Sequence, residues 1–105
     1  MTDFLVVLTT VPYERKGWDI AKILVEEKLA ACVTVSPVSR SFYWWEDSIS
    51  EDKECVVIVK TKAALYPRLE ARLKEIHPYT VPEIIALPVV QGSEAYLKWV
   101  GKVTS

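Results

Sequence analysis

Hydrophobic positions along this chain change their period several times, and each change marks an element. Phe4 to Leu8 is an unbroken apolar run, as expected of a strand covered on both faces, and Pro12 ends it. From Glu14 to Leu29 the pattern becomes helical, with Arg15, Asp19, Lys22 and Glu26 on one side and Ile20, Ala21, Leu24 and Val25 on the other. Ala30-Ala31 closes that helix, and Cys32 to Val35 opens a second strand. Ser36-Pro37 interrupts it, which predicts a bulge or an edge position, and Ser41-Phe42-Tyr43-Trp44-Trp45 resumes it with high strand propensity. Glu46 to Asp52 is polar or small except at Ile49 and reads as a hairpin tip, from which Glu54 to Lys60 returns as a third strand.

A second helix is expected from about Tyr66, with Pro67 in its first turn, where a missing N–H costs little. Leu65, Leu69, Leu73 and Ile76 form its buried stripe, and Arg68, Arg72 and Glu75 its wet one. Pro78 stops this helix at His77, because proline has no backbone donor and biases the residue before it away from helical ψ. Ile84 to Val90 reads as a fourth strand, and Glu94 to about Lys102 as a short final helix carrying Tyr96 and Trp99.

This order predicts an α+β fold: one ferredoxin-like β-α-β-β-α-β sandwich over residues 1–105, with an additional C-terminal helix. Helices on one side of such a sheet leave the other side open, yet the third strand is apolar on both faces at Val56 to Val59. A second copy of the chain is the simplest cover. Trp44 and Trp45 point to opposite faces of their strand, so they cannot share one core. With Tyr43 they are expected at a subunit interface, where large aromatics concentrate.

Composition narrows the partners. The 105 residues are 50% hydrophobic and 26% charged, which suits a water-soluble domain with a real core. Thirteen basic against fourteen acidic residues leave a formal charge of −1, too weak a field to recruit a phosphate backbone. No run approaches ~18 apolar residues, so no membrane span is expected. The N-terminus lacks the basic region of a signal peptide, and the two cysteines, Cys32 and Cys55, suggest free thiols in a reducing cytoplasm. A hairpin turning near Ser48 would place Cys55 opposite about Ser41, nine residues from Cys32, a separation of ~30 Å and far beyond disulfide reach.

Candidate chemistry converges on His77, the only histidine of the chain. It could both titrate near neutrality and bind a borderline metal, and a helix C-terminal dipole would favour its imidazolium form. Other chemistries lack their residues. The third strand has no stacking aromatics for RNA, no C-x-x-C exists for a metal chaperone, and three glycines make no phosphate loop. An acylphosphatase would need an asparagine, and the chain has none. No local signature pairs the histidine with a nucleophile, so no enzymatic activity is expected.

Several words of the sequence, in this order and spacing, resemble the CutA divalent-cation-tolerance family from end to end. They are Leu29-Ala30-Ala31-Cys32-Val33, Phe42-Tyr43-Trp44-Trp45-Glu46, Glu54 ahead of Lys60-Thr61, His77-Pro78-Tyr79 with Val81-Pro82-Glu83, and Tyr96-Leu97-Lys98-Trp99. The resemblance implies a compact ferredoxin-like homotrimer, kinship of form with PII-type signalling proteins, and a link to copper, as Cu(II), and other divalent cations. It implies no accepted catalytic activity. The proposed cation ligands of the family fall on His77 and Glu54, while a cysteine that some members carry in the first strand falls on Thr9, which offers no thiolate. Asp47 stands where the family commonly has glycine in the hairpin, which puts the turn type in question. The alternative function is a trimeric regulatory or scaffolding module that binds a small ligand or protein at intersubunit clefts.

Overall fold

A computed structural model describes residues 3–105. β1 (Phe4–Val11) leads into α1 (Glu14–Glu26), followed by β2 (Cys32–Val35), β3 (Ser39–Trp45) and β4 (Ser48–Lys62). A 3-10 turn (Ala63–Leu65) feeds α2 (Tyr66–Ile76), and β5 (Ile85–Pro88) and α3 (Glu94–Val103) complete the chain. The sheet runs β2-β4-β1-β5 with antiparallel neighbours, and β3 continues along β4 beyond β2. This is the expected ferredoxin-like order, with the interrupted second strand counted as β2 and β3.

The interruption is a bulge. Val35 lies opposite Val57 and Ser39 opposite Glu54, so four steps on one strand face three on the other. Ser36 holds the break: its backbone N–H donates to the Val56 carbonyl at 2.9 Å, and its hydroxyl accepts from the Val56 N–H at 2.8 Å. Pro37 follows, where no ladder donor is needed. Such an extra residue bends a strand and increases its twist, and here the β3–β4 ribbon begins at that bend.

The ribbon is longer than its sequence pattern suggested. Its tip is only Glu46-Asp47, since Trp45 pairs with Ser48 and Phe42 with Glu51. Residues 48–52 fall in the expected hairpin tip because neither of their faces is buried, so no apolar alternation marks them. Glu46 and Asp47 have φ of 47° and 65°, the left-handed pair of a type I′ turn. That geometry matches strand twist and is made here without glycine.

β1 and β4 each present one buried face, through Val7, Thr9 and Val11 and through Cys55, Val57, Val59 and Thr61. Ile20 and Leu24 of α1 and Leu69 and Leu73 of α2 close over it. The opposite face is half-buried at Val56 and Ile58, and α3 crosses one end of it, where Val6, Lys60 and Leu97 border a cavity of about 200 Å³. Gly17 lets α1 lie close on β2: a Cβ there would stand 2.7 Å from Val35 Cγ1.

Local geometry fixes where two helices stop and where the third starts. α1 ends at Glu26, not Leu29, in a Schellman motif: the Leu29 N–H donates to the Leu24 carbonyl and the Lys28 N–H to the Val25 carbonyl, both at 3.0 Å. Lys28 sits at the left-handed position with φ 60°, and Leu24 and Leu29 both join the core. α2 ends as Pro78 requires, with His77 extended at ψ 138° while its N–H still donates to the Leu73 carbonyl. α3 begins at Ser93, whose hydroxyl accepts from the Tyr96 N–H at 3.4 Å.

The two cysteines are closer along the sheet than expected but still unbonded. Cys55 lies opposite Val11 and Cys32 opposite Lys60. Five residues of β4 therefore separate them, ~17 Å and not ~30 Å, because the hairpin turns earlier and the bulge shifts the register. Both are free thiols, and burial pushes the Cys55 thiol pKa up.

Candidate functional site

The end of α2 brings His77 back onto β1. Its side chain is buried, and both ring nitrogens are in use. The Tyr79 backbone N–H donates to Nδ1 at 3.1 Å, which makes Nδ1 the acceptor and puts the proton on Nε2. Nε2–H points at the Thr10 carbonyl, 2.9 Å away, and at Thr9 Oγ1, 3.0 Å away. Thr9, where some relatives were expected to carry a cysteine, is thus a buried partner of the histidine. The expected preference for imidazolium is overturned. Burial lowers the His77 pKa, with help from the Lys16 charge and against the opposing effects of the Thr10 bond and the Glu54 charge. An end-of-helix dipole is outweighed by the loss of water around the ring.

Glu54 sits just beyond the bulge, half-buried, and is tied to the same loop. The Tyr79 hydroxyl donates to Glu54 Oε2 at 2.8 Å, and the Tyr79 ring lies 5.0 Å from the His77 ring. Tyr79 therefore touches both expected ligand residues, through its backbone and its phenol respectively. Two residues along β4, on the same face, Asp52 accepts a hydrogen bond from the Tyr43 hydroxyl across the ribbon. Burial, reinforced by the bond to Glu54 and the nearby Asp52 charge, raises the Tyr79 pKa, and the bond to Asp52 is the main cause of a raised Tyr43 pKa. Both phenols remain neutral donors at physiological pH.

Tyr43, Asp52, Glu54 and Tyr79 line a groove of about 770 Å³ between the base of the ribbon and the loop after α2, whereas His77 lies behind Tyr79 and outside that lining. Its carboxylates are Asp52, Glu54 and Glu83; Phe42 and Trp45 supply aromatic walls; among the described residues no lysine or arginine lines it. Trp45 faces this groove, and Trp44, one residue earlier, belongs to the other face of the ribbon. Both indoles are exposed, at 62% and 73%, as are Phe42 and Ile49. Among the described residues, no three of His, Cys, Asp and Glu converge closely enough to hold a metal ion. Sequence reasoning singled out His77 and Glu54 but passed over Asp52, Tyr79 and Glu83; Asp52 was legible as the i−2 companion of Glu54 on one strand face.

Fold and groove together define a ferredoxin-like α+β protein with a projecting β-ribbon and an anionic, phenol-lined cleft at its base. The chain belongs to the CutA1 divalent ion tolerance protein family, whose sequence model matches residues 5–103. It is 50% identical over 99 residues to the divalent-cation tolerance protein CutA of Thermus thermophilus, covering 94% of this chain and 96% of that one. It is 45% identical over 95 residues to the protein CutA of Mus musculus, covering 90% of this chain but only 54% of the mouse protein, so it spans about half of that relative's length. A solved structure described as the periplasmic divalent cation tolerance protein CutA of Archaeoglobus fulgidus superimposes with a TM-score of 0.92 at 35% identity, covering 95% of this chain and 97% of that one. Among the described residues no helix is long and apolar enough to cross a membrane.

Proposed function

We propose that this protein binds a divalent cation, Cu(II) ahead of Zn(II), in the groove at the base of the ribbon, and serves metal tolerance as a binding protein without catalytic chemistry. The observation that carries the reading is the groove's lining: three carboxylates and, among the described residues, no cationic side chain. Glu54 is the anchoring ligand, because it is half-buried, held in place and still has Oε1 free of any described hydrogen bond. His77 can join only by exchanging the Tyr79 amide at Nδ1 for the metal, so it ranks second. Copper exceeds zinc by the general order for nitrogen and oxygen donors.

One chain is short of ligands. We infer that a homotrimer supplies the rest, with the exposed Trp44, Trp45 and Tyr43 of the ribbon clasped by neighbouring copies. Exposed aromatics and Ile49 on a two-stranded ribbon favour that cover. The free thiols Cys32 and Cys55 favour a cytoplasmic setting. Sedimentation should give a species near three times 11.9 kDa; a stable monomer at micromolar concentration overturns the trimer. Calorimetric titration with Cu(II) tests the site: Glu54→Gln should weaken binding at least about tenfold, and His77→Ala less. Equal affinity in wild type and Glu54→Gln overturns the reading.

A second reading has its own support. The groove is far larger than a metal ion needs and falls in the range of ~300–1,000 Å³ typical of small-molecule sites. With Phe42 and Trp45 in its wall, it suits a regulatory module that binds a small ligand at a cleft between copies. Saturable binding of a small molecule that survives a chelator, and is lost in Trp45→Ala, would favour this reading over the first.

A further inference from the structure

Tyr79 stands between the two candidate ligand residues, and its two polar groups act in opposite senses. Its backbone N–H occupies His77 Nδ1 at 3.1 Å and so withholds the one ring nitrogen that carries a lone pair. Its hydroxyl donates to Glu54 Oε2 at 2.8 Å and so fixes a flexible carboxylate in one orientation. The ring that joins these two groups packs 5.0 Å from the imidazole, which limits how far the phenol can swing. Glutamate has three side-chain torsions to immobilise, and a carboxylate already immobilised loses less freedom when it captures a cation.

We propose that Tyr79 is the positioning residue of the cation site: its phenol orients Glu54 so that Oε1 faces the groove, while its amide keeps His77 as a structural element. The inference rests on the reading of Glu54 as a cation ligand and adds how that ligand is set. It makes oxygen donors the first contact of an arriving cation, because the histidine lone pair is masked until the loop after α2 shifts. It also assigns the phenol a role with no bond to the metal. A neutral phenol with a raised pKa, donating to a carboxylate, suits a supporting partner of a ligand.

The test is a double-mutant cycle in Cu(II) affinity, measured by calorimetry on the full chain with wild type, Tyr79→Phe, Glu54→Gln and the double variant. Tyr79→Phe keeps the ring and the backbone amide and removes only the hydroxyl. Thermal melts on the metal-free proteins show whether each variant is folded, and the His77 ring nitrogen chemical shifts should stay those of the Nε2–H tautomer. The expected result is an affinity loss of roughly tenfold for Tyr79→Phe in the wild-type background and none in the Glu54→Gln background. An unchanged affinity for Tyr79→Phe, or an equal loss in both backgrounds, overturns the positioning role while leaving Glu54 as a ligand. If Glu54→Gln itself binds Cu(II) as wild type does, the site assignment and the inference fall together. If Tyr79→Phe moves the His77 shifts as well, the phenol acts through the loop and not through Glu54, and the proposal is overturned.

Discussion

Replacing His77 by alanine removes a buried cross-link between the end of α2 and the end of β1, and the cost should depend on pH. The imidazole donates one shared hydrogen bond to Thr10 and Thr9 and accepts one from the Tyr79 amide. Each satisfied bond of this kind contributes about 1 kcal/mol, and each buried partner left unpaired costs about 1–3 kcal/mol, so His77→Ala should lose about 2–4 kcal/mol. That is a large share of the ~5–15 kcal/mol that stabilises an ordinary domain. The pH dependence follows from the lowered pKa of the folded histidine. An unfolded histidine takes up its proton near pH ~6.5 and the folded one only at lower pH, so the unfolded state binds more protons between the two values. His77's contribution is therefore complete above about pH 6.5 and is lost as pH falls through the folded pKa. The physical cause is direct, since a proton on Nδ1 would face the Tyr79 N–H. Urea melts of wild type and His77→Ala, at one protein concentration and with a chelator present, should show the gap at about pH 7.5 shrinking by about pH 5. A gap of equal size at both pH values would refute the neutral, doubly bonded assignment.

Three further outcomes are expected. Lys28→Gly should stabilise by about 0.5–1 kcal/mol in chemical denaturation, because Lys28 occupies the left-handed position of a Schellman motif that glycine fills without strain. Gly17→Ala should destabilise by about 1–3 kcal/mol, since the new methyl would overlap Val35 Cγ1 and push α1 off β2; an unchanged melting temperature would show that the helix moves freely. Exchanging the Glu46-Asp47 tip for Asn-Gly should stabilise the ribbon by about 1 kcal/mol, read as slower amide exchange in β3 and in Ser48 to Glu54, because both turn residues already have positive φ.

Helices that bury a stripe were legible in the sequence, and the half of β4 that buries none was misjudged, although β3 and β5, largely exposed, were read as strands from their residue types. Leu65, Leu69 and Leu73 announced α2 with its bounds because every third or fourth side chain had to enter the core. Ser48 to Asp52 announced nothing, because its strand conformation is imposed by pairing with β3 and not by burial. α1 was drawn too long for a related reason: Leu29 continues the apolar period but enters the core after the chain has turned at Lys28. At the site, His77 stood out by residue type and Glu54 by resemblance, whereas Tyr79 gains its importance from folding back onto His77 across Pro78, which no period encodes. The charge state of His77 was misread because a helix end is visible in sequence and the walls around an imidazole are not.

β4 passes from a ribbon into a sheet without a break in its backbone, and that continuity makes one strand a gauge of two equilibria. From Val57 to Lys60 it is flanked by β1 on one side and β2 on the other, whereas from Ser48 to Glu54 its described backbone pairing is with β3 alone. An isolated two-stranded ribbon is marginal in water, so its amides should exchange by local fraying while those of the flanked half exchange only when the whole chain opens. Whatever clasps the ribbon would slow the first set directly, and would slow the second by the amount that binding stabilises the folded chain against the unfolded one. Exchange along this single strand, followed against protein concentration, would therefore read the closing of the ribbon in one half and the linked gain in global stability in the other.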